Sequence, residues 1–370
     1  MSSTADIDRI LTDSASYRDA ATMRALLRRI AATVTRPWGI MEVCGGQTFT
    51  LSRYRLEELL PPQVKMIHGP GCPVCVTPEE VIDAAIELAL RPGTVLCSFG
   101  DMLRVPGSRG SLLRAKAEGA DIRLLYTPLE ALAIARRCPD KEVVFLAIGF
   151  ETTAPLYALM VKRARALGVC NLSLITSLYT VPAAVKAIAN DPGSHIDALL
   201  AAGHVCAVTG TKPYASLAGE LQMPVVVTGF EPVDMLYGIL KAVAMLESNH
   251  VGVVNAYRRV VAEDGNPAAM ADVEETTELC DTSWRGIGTI AMSGRHLRPD
   301  YEQYDALKRF NINPRVCAHT TPCIAARIMK GNALPTDCPC FGTDCTPEAP
   351  VGAPMVSGEG VCAAYYRYNH

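Results

Sequence analysis

Val143-Val144-Phe145-Leu146-Ala147-Ile148-Gly149-Phe150-Glu151 is the stretch that decides the fold. Six consecutive apolar residues, closed by a glycine turn, read as a short strand covered on both faces. The same unit of apolar run, Gly-rich turn and amphipathic helix recurs along the chain. Before the quoted stretch the runs are Gly39–Val43, Val64–Ile67, Thr94–Phe99 and Ile122–Tyr126; after it come Leu172–Ser177, Ala198–Ala201 and Pro224–Thr228. Short apolar strands alternating with helices imply parallel sheets with helices on both faces. The eight strands are expected as two four-stranded units, with CPDKE at 138–142 as the linker. Gly149-Phe150-Glu151 returns as Gly229-Phe230-Glu231. At the carboxyl end of a strand such a loop is either a site element or a tight turn with one exposed acid.

Outside this core the texture differs. The segment up to Ile30 reads as helical, with apolar residues at Ile7, Ile10 and Leu11 and again at Met23, Leu26, Leu27 and Ile30. After Asp272, Cys, Pro, Gly and Thr become dense and apolar strand-like runs vanish, so this tail needs a staple such as a bound metal. The expected division is an N-terminal helical segment 1–37, α/β domains 38–140 and 141–271, and a tail domain 272–370.

The 370 residues are 49% hydrophobic and 20% charged with net charge −3, which describes a globular chain of two or three domains. No basic field exists for nucleic acid. The first thirty residues carry charges throughout, unlike a signal peptide, and no uncharged apolar run approaches the roughly 18 residues of a membrane span. A cytoplasmic location is expected, where thiols stay reduced. The 14 cysteines then read as metal ligands, redox groups or small buried hydrophobes rather than structural disulfides.

Cys44 stands in Met41-Glu42-Val43-Cys44-Gly45-Gly46-Gln47-Thr48-Phe49, after a strand and before a helix. A thiol there meets the positive end of the helix dipole, which favours thiolate; the other reading is an inert cysteine in a tight turn. His68-Gly69-Pro70-Gly71-Cys72-Pro73-Val74-Cys75 sets a Cys-x-x-Cys in a rigid loop before a helix start at Thr77-Pro78-Glu79-Glu80. That pair suits a reversible disulfide or two ligands of one metal. The tail holds Cys317, Cys323, Cys338, Cys340, Cys345 and Cys362, more thiols than core filling requires. Thiolates select zinc or iron–sulfur clusters, and the spacing lacks the paired knuckles of common zinc modules. Cys97, Cys138, Cys170, Cys206 and Cys280 read as small hydrophobes. His204 reads as a satisfied turn residue, and Trp284-Arg285-Gly286 stays open.

Taken together, these motifs resemble the HypD family of hydrogenase maturation factors over nearly the whole chain. The resemblance rests on Cys44-Gly45-Gly46-Gln47-Thr48, Gly69 to Cys75, Gly149-Phe150-Glu151-Thr152-Thr153, Trp284-Arg285-Gly286 and the ending Ser357 to Tyr366. The family's cluster ligands are separated by 14, 6 and 16 residues, and Cys323, Cys338, Cys345 and Cys362 reproduce that spacing, leaving Cys317 and Cys340 as extras. The resemblance implies two similar Rossmann-like parallel-sheet domains plus a mainly helical or irregular C-terminal iron–sulfur domain. It also implies a role in building the Fe(CN)2CO group of nickel–iron hydrogenases, with a HypC-like chaperone and a HypE-like cyanide donor as partners. Cys44 would bind the iron, and Cys72 and Cys75 would be a redox dithiol. A [4Fe–4S] cluster on the four tail cysteines would feed or drain its electrons. The family motif ends in His where this chain has Phe49, which puts the iron coordination in question; His68 is a candidate to compensate. Two other classes remain in view: a stand-alone thiol oxidoreductase, and a zinc-stapled binding protein without redox chemistry.

Overall fold

The computed structural model describes residues 17–314 and 321–369. Ile7, Ile10, Leu11 and Cys317 lie outside the described residues. Asp19 caps the first described helix, Ala20–Thr33, its carboxylate accepting the Thr22 amide hydrogen at 2.6 Å. The expected stripe faces inward there, with Leu26 and Ile30 fully buried.

Eleven strands are described, and they form two sheets. One orders β2 (Val64–His68), β1 (Trp38–Glu42), β7 (Ala198–Ala202), β8 (Pro224–Thr228) and β9 (Gly252–Asn255), all parallel. The other orders β10 (Thr277–Trp284), β11 (Gly288–Leu297), β6 (Leu172–Tyr179), β5 (Glu142–Gly149), β3 (Thr94–Ser98) and β4 (Ile122–Leu124). Its β3–β6 portion is parallel, and β10–β11 is an antiparallel hairpin laid on β6.

Every expected strand is present, but the expected pair of four-stranded sheets in chain order is replaced. The chain leaves the first sheet after β2, builds β3 to β6 of the second, and returns for β7 to β9. Apolar runs specify burial and not partners, so a linker-like CPDKE inside the second sheet carried no information on pairing. The hairpin corrects a second expectation, that strands end near Asp272. Polar side chains are interspersed among its apolar ones and few of its residues are fully buried, so no long apolar run marks it.

The sheets share a core. Along β5, Val144, Leu146 and Ile148 face the inter-sheet core with Met41, Leu199 and Val225, whereas Val143, Phe145 and Ala147 face the outer helices. Ile40, Met66, Leu200 and Val226 pack outward against Ala20–Thr33 and Pro232–Glu247. Each such fully buried aliphatic side chain contributes about 1.5–3 kcal/mol, so the relative seating of the sheets is held by the same force that builds each one. Beyond Arg298 the described residues form short helices and turns. The last helix, Val361–Tyr368, packs on Gly45–Arg53, with Phe49 and Tyr368 edge to face at 5.5 Å. Among the described residues no helix is long and apolar enough to cross a membrane.

Candidate functional site

Because the first sheet is parallel, the loops after β1, β2, β7 and β8 emerge at one end. They bring Cys44, the Cys-x-x-Cys loop, His204 and Phe230 together. Cys44 caps the helix Gly45–Arg53, and the Gly46 amide donates to its Sγ at 3.3 Å. The helix terminus was expected to favour thiolate, but burial reverses that. Desolvation of a side chain 6% exposed pushes the thiol up to about 12; the Gly46 and Gln47 amides oppose this and the Glu42 charge adds to it. The thiol therefore holds its proton until something displaces it.

His204, expected to be a plain turn residue, flanks that sulfur. Both ring nitrogens lie 3.9 Å from Cys44 Sγ, and burial lowers the imidazole to about 4, so it is neutral and has an acceptor nitrogen. Its ring lies against Phe230 with centroids 4.9 Å apart. The second Gly-Phe-Glu loop is thus a site element. A Cβ on Gly46 would stand 3.1 Å from the Phe230 ring, so the glycine lets that ring close in.

Backbone contacts join the cysteine segments directly. The Gly45 amide donates to the Gly71 carbonyl at 3.1 Å, and a Cβ on Gly71 would sit 2.2 Å from the Cys44 nitrogen. Cys72 and Cys75 form a disulfide, Cα atoms 5.2 Å apart, and are 4% and 2% exposed. Arg285 of the Trp-Arg-Gly motif fastens the following turn: its Nε donates to the Thr77 carbonyl at 2.7 Å and its Nη2 to the Pro106 carbonyl at 2.6 Å.

Beneath Cys44 runs a buried ionic network that the motifs alone did not announce. Glu42 accepts the Cys44 amide hydrogen at 2.8 Å and the Thr48 hydroxyl at 2.5 Å, and meets His68 Nδ1 at 2.7 Å. The other face of His68 meets Glu57 at 3.0 Å and Tyr365 at 3.2 Å, and Tyr365 donates to Glu57 at 3.0 Å. Burial alone would lower the His68 pKa, but the charge of Glu57 and the hydrogen bonds of both carboxylates raise it to about 10. The ring is an imidazolium between two carboxylates. An acid inside an otherwise apolar strand, Met41-Glu42-Val43, is the signal that could have found it, since a buried carboxylate needs a partner.

Phe49 faces away from this chemistry, its ring contacts being Tyr368 and the Arg53 guanidinium at 5.6 Å. Among the described residues His68 connects to Cys44 through Glu42.

Cys338, Cys340, Cys345 and Cys362 share a small tail core with Met355, Val361 and Tyr365. Burial pushes the Cys323 thiol up to about 11, and the Cys338, Cys345 and Cys340 sulfurs add to the rise. Cys362 is held well above the ordinary thiol range by burial first and then by Cys323, Cys345 and Cys338. Cys323 and Cys362 thus lie within reach of the Cys338 and Cys345 sulfurs, and Cys340 is near Cys323 as well. A Cβ on Gly352 would lie 2.5 Å from Cys323 Sγ, and the Val351 amide donates to Cys345 Sγ at 3.3 Å. Among the described residues no three ligating side chains meet tightly enough to grip a single ion. Of the single cysteines, Cys97 and Cys206 are fully buried as expected, and Cys170 is exposed.

Fold and site together define a two-sheet α/β protein that gathers a capped thiol and a dithiol loop at one sheet edge and covers them with a cysteine-rich tail. Residues 21–369 match the family described as "HypD: Hydrogenase formation hypA family". The hydrogenase maturation factor HypD of Rhizobium leguminosarum bv. viciae is 46% identical over 363 residues, covering 95% of this chain and 94% of that protein. HypD factors of Rhodobacter capsulatus and Escherichia coli K12 are each 42% identical, over 368 and 350 residues, covering 96% and 94% of this chain and 98% and 93% of theirs. The chain belongs to the HypD family of hydrogenase maturation factors.

Proposed function

We propose that this chain is a cytoplasmic scaffold and redox protein for assembly of the Fe(CN)2CO group of nickel–iron hydrogenases. Cys44 holds the iron as substrate, Cys72 and Cys75 act as a dithiol, and Cys323, Cys338, Cys345 and Cys362 hold a [4Fe–4S] cluster. A HypC-like chaperone and a HypE-like cyanide donor are the partners. The observation that carries the reading is the direct packing of three cysteine segments: Gly71 against the Cys44 backbone, and Glu359 of the tail against Gly45, where a Cβ would lie 2.4 Å from the Glu359 carbonyl.

The residues divide the work. Cys44 offers a soft sulfur suited to low-spin iron, and iron binding must displace its proton. His204, neutral and 3.9 Å away, packs beside that sulfur and keeps an uncharged wall against it. Phe230 and the buried walls exclude water. The four tail thiols match the one-thiolate-per-iron donor set of a four-iron cluster, whose bound form supplies one-electron chemistry. The burial of Cys72 and Cys75 fits a partner inside the molecule better than a foreign protein disulfide.

The test is anaerobic co-purification with a HypC-like chaperone followed by infrared spectroscopy. Carbon monoxide and cyanide stretching bands are expected with the unaltered chain and absent with Cys44→Ala. Equal bands from both would overturn the assignment of Cys44, and failure to retain any chaperone would favour a stand-alone thiol oxidoreductase.

A further inference from the structure

The proposed function leaves Trp284-Arg285-Gly286 without a part in the chemistry. The motif forms the tip of the β10–β11 hairpin. Trp284 anchors that tip in the core: it is 1% exposed, its Nε1 donates to Ser293 Oγ at 2.8 Å, and its ring lies 4.7 Å from that of Tyr179 between centroids. Gly286 faces the tail. It takes a φ of +71°, and a Cβ there would stand 2.8 Å from the Ala326 Cβ, in the short helix that follows Cys323. Between these two contacts, Arg285 reaches the dithiol turn.

Its donors go to carbonyls. The Arg285 amide donates to the Val76 carbonyl at 2.8 Å, Nε to the Thr77 carbonyl at 2.7 Å and Nη2 to the Pro106 carbonyl at 2.6 Å. Val76 and Thr77 follow Cys75 directly, at the end of the short helix Pro73–Val76 where carbonyls lack partners within the helix. The other end of the turn is held as well, because the Gly45 amide donates to the Gly71 carbonyl at 3.1 Å. The disulfide-bearing segment is thus tied down before Cys72 and after Cys75. Two effects of such a guanidinium oppose each other. A clamped turn keeps the sulfurs close after their bond opens, which raises their effective concentration and favours the disulfide. A positive charge favours thiolate, and with it the open form. Here the charge is countered by Glu79, whose Oε1 lies 3.6 Å from Arg285 Nη1, so the clamp outweighs the charge.

We propose that Arg285 is a positioning residue for Cys72 and Cys75: its guanidinium holds the two sulfurs in closing range and so sets how readily the disulfide opens. The inference rests on the dithiol reading of the proposed function. On opening, the S–S bond breaks and Cys72 and Cys75 each take up one electron and one proton. A reducing dithiol supplies both electrons and both protons as it closes into its own disulfide.

Reduced and oxidised dithiothreitol in varied ratio is the probe, equilibrated anaerobically with the full chain. The fraction of Cys72–Cys75 disulfide is read by acid quench, alkylation and peptide mass spectrometry. Arg285→Met removes fork and charge, whereas Arg285→Lys keeps the charge without the fork. In both variants the disulfide should open at a ratio about tenfold or more towards oxidised dithiothreitol, which is about 30 mV for a two-electron couple. Circular dichroism checks the fold, and Arg285→Lys carries the comparison where Arg285→Met does not fold. A shift in the opposite direction, or a folded variant within about twofold of the unaltered chain, would overturn the proposal while leaving the dithiol in place. A disulfide that never opens in the unaltered chain would overturn the dithiol reading, and this proposal with it.

Discussion

His68→Leu removes the cation that stands between Glu42 and Glu57 and leaves two buried carboxylates facing an apolar side chain. Burial by itself would lower the His68 pKa, yet Glu57 and Glu42 lift it from 6.5 to about 10. A folded-state pKa above the unfolded one means that the protonated ring stabilises the fold fully below about pH 6.5 and that this stabilisation is lost as pH rises through about 10. Each pH unit in that window is about 1.4 kcal/mol, so close to 4 kcal/mol is present near pH 7. That agrees with the roughly 3–5 kcal/mol lost when one partner of a buried ion pair is removed. The assay is urea unfolding of the unaltered and His68→Leu chains by circular dichroism near pH 7 and near pH 9.5. A gap of about 4 kcal/mol that shrinks to about 1 kcal/mol or less at the higher pH is expected. A gap below about 1 kcal/mol near pH 7, or one that does not change with pH, would refute the imidazolium reading. The consequence reaches the site, because the same network ends on the Cys44 amide at one side and on Tyr365, in the helix that bears Cys362, at the other.

Cys72→Ser should leave tail iron and sulfide at the level of the unaltered chain yet abolish hydrogenase maturation in a complementation assay; normal maturation would remove the dithiol from the scheme. Phe49→His restores the residue found in the family motif, but position 49 faces Tyr368 and Arg53, so iron retention at Cys44, read by metal analysis of the chaperone complex, should be unchanged. Gly45→Ala sets a Cβ 2.4 Å from the Glu359 carbonyl and 2.5 Å from its Cβ. It should push the tail off the Cys44 loop at a cost of about 1–3 kcal/mol, and alkylation of Cys44 by iodoacetamide, followed by mass spectrometry, should accelerate.

The strands were readable because parallel strands buried on both faces are nearly continuous apolar runs, as at Val143–Ile148. Their grouping was not, because Met41 beside Leu199 and Met41 beside Leu96 would look alike in the sequence; only the route of the chain tells that β1 pairs with β7. The hairpin β10–β11 escaped because polar residues such as Glu278, Asp281, Thr282 and Ser293 break up its apolar ones. The placement of Cys44 as a helix cap was legible from Cys-Gly-Gly after a strand, whereas its protonation was not, since desolvation depends on Phe230 and the tail that fold over it from distant positions. His204 was missed for the same reason: one histidine after an Ala-rich strand has no local signal, and its role appears when β7 takes its place beside β1. For the tail, the resemblance alone singled out four cysteines, and the structure sets Cys340 in the same small core as Cys338, Cys345 and Cys362.

The most direct measurement is iron, acid-labile sulfide and zinc analysis of the anaerobically purified chain, beside Cys362→Ser. About four iron and four sulfide per chain, lost in the variant, is the expected result for a cluster on Cys323, Cys338, Cys345 and Cys362. About one zinc without sulfide would contradict it and leave the tail as a zinc-stapled structure.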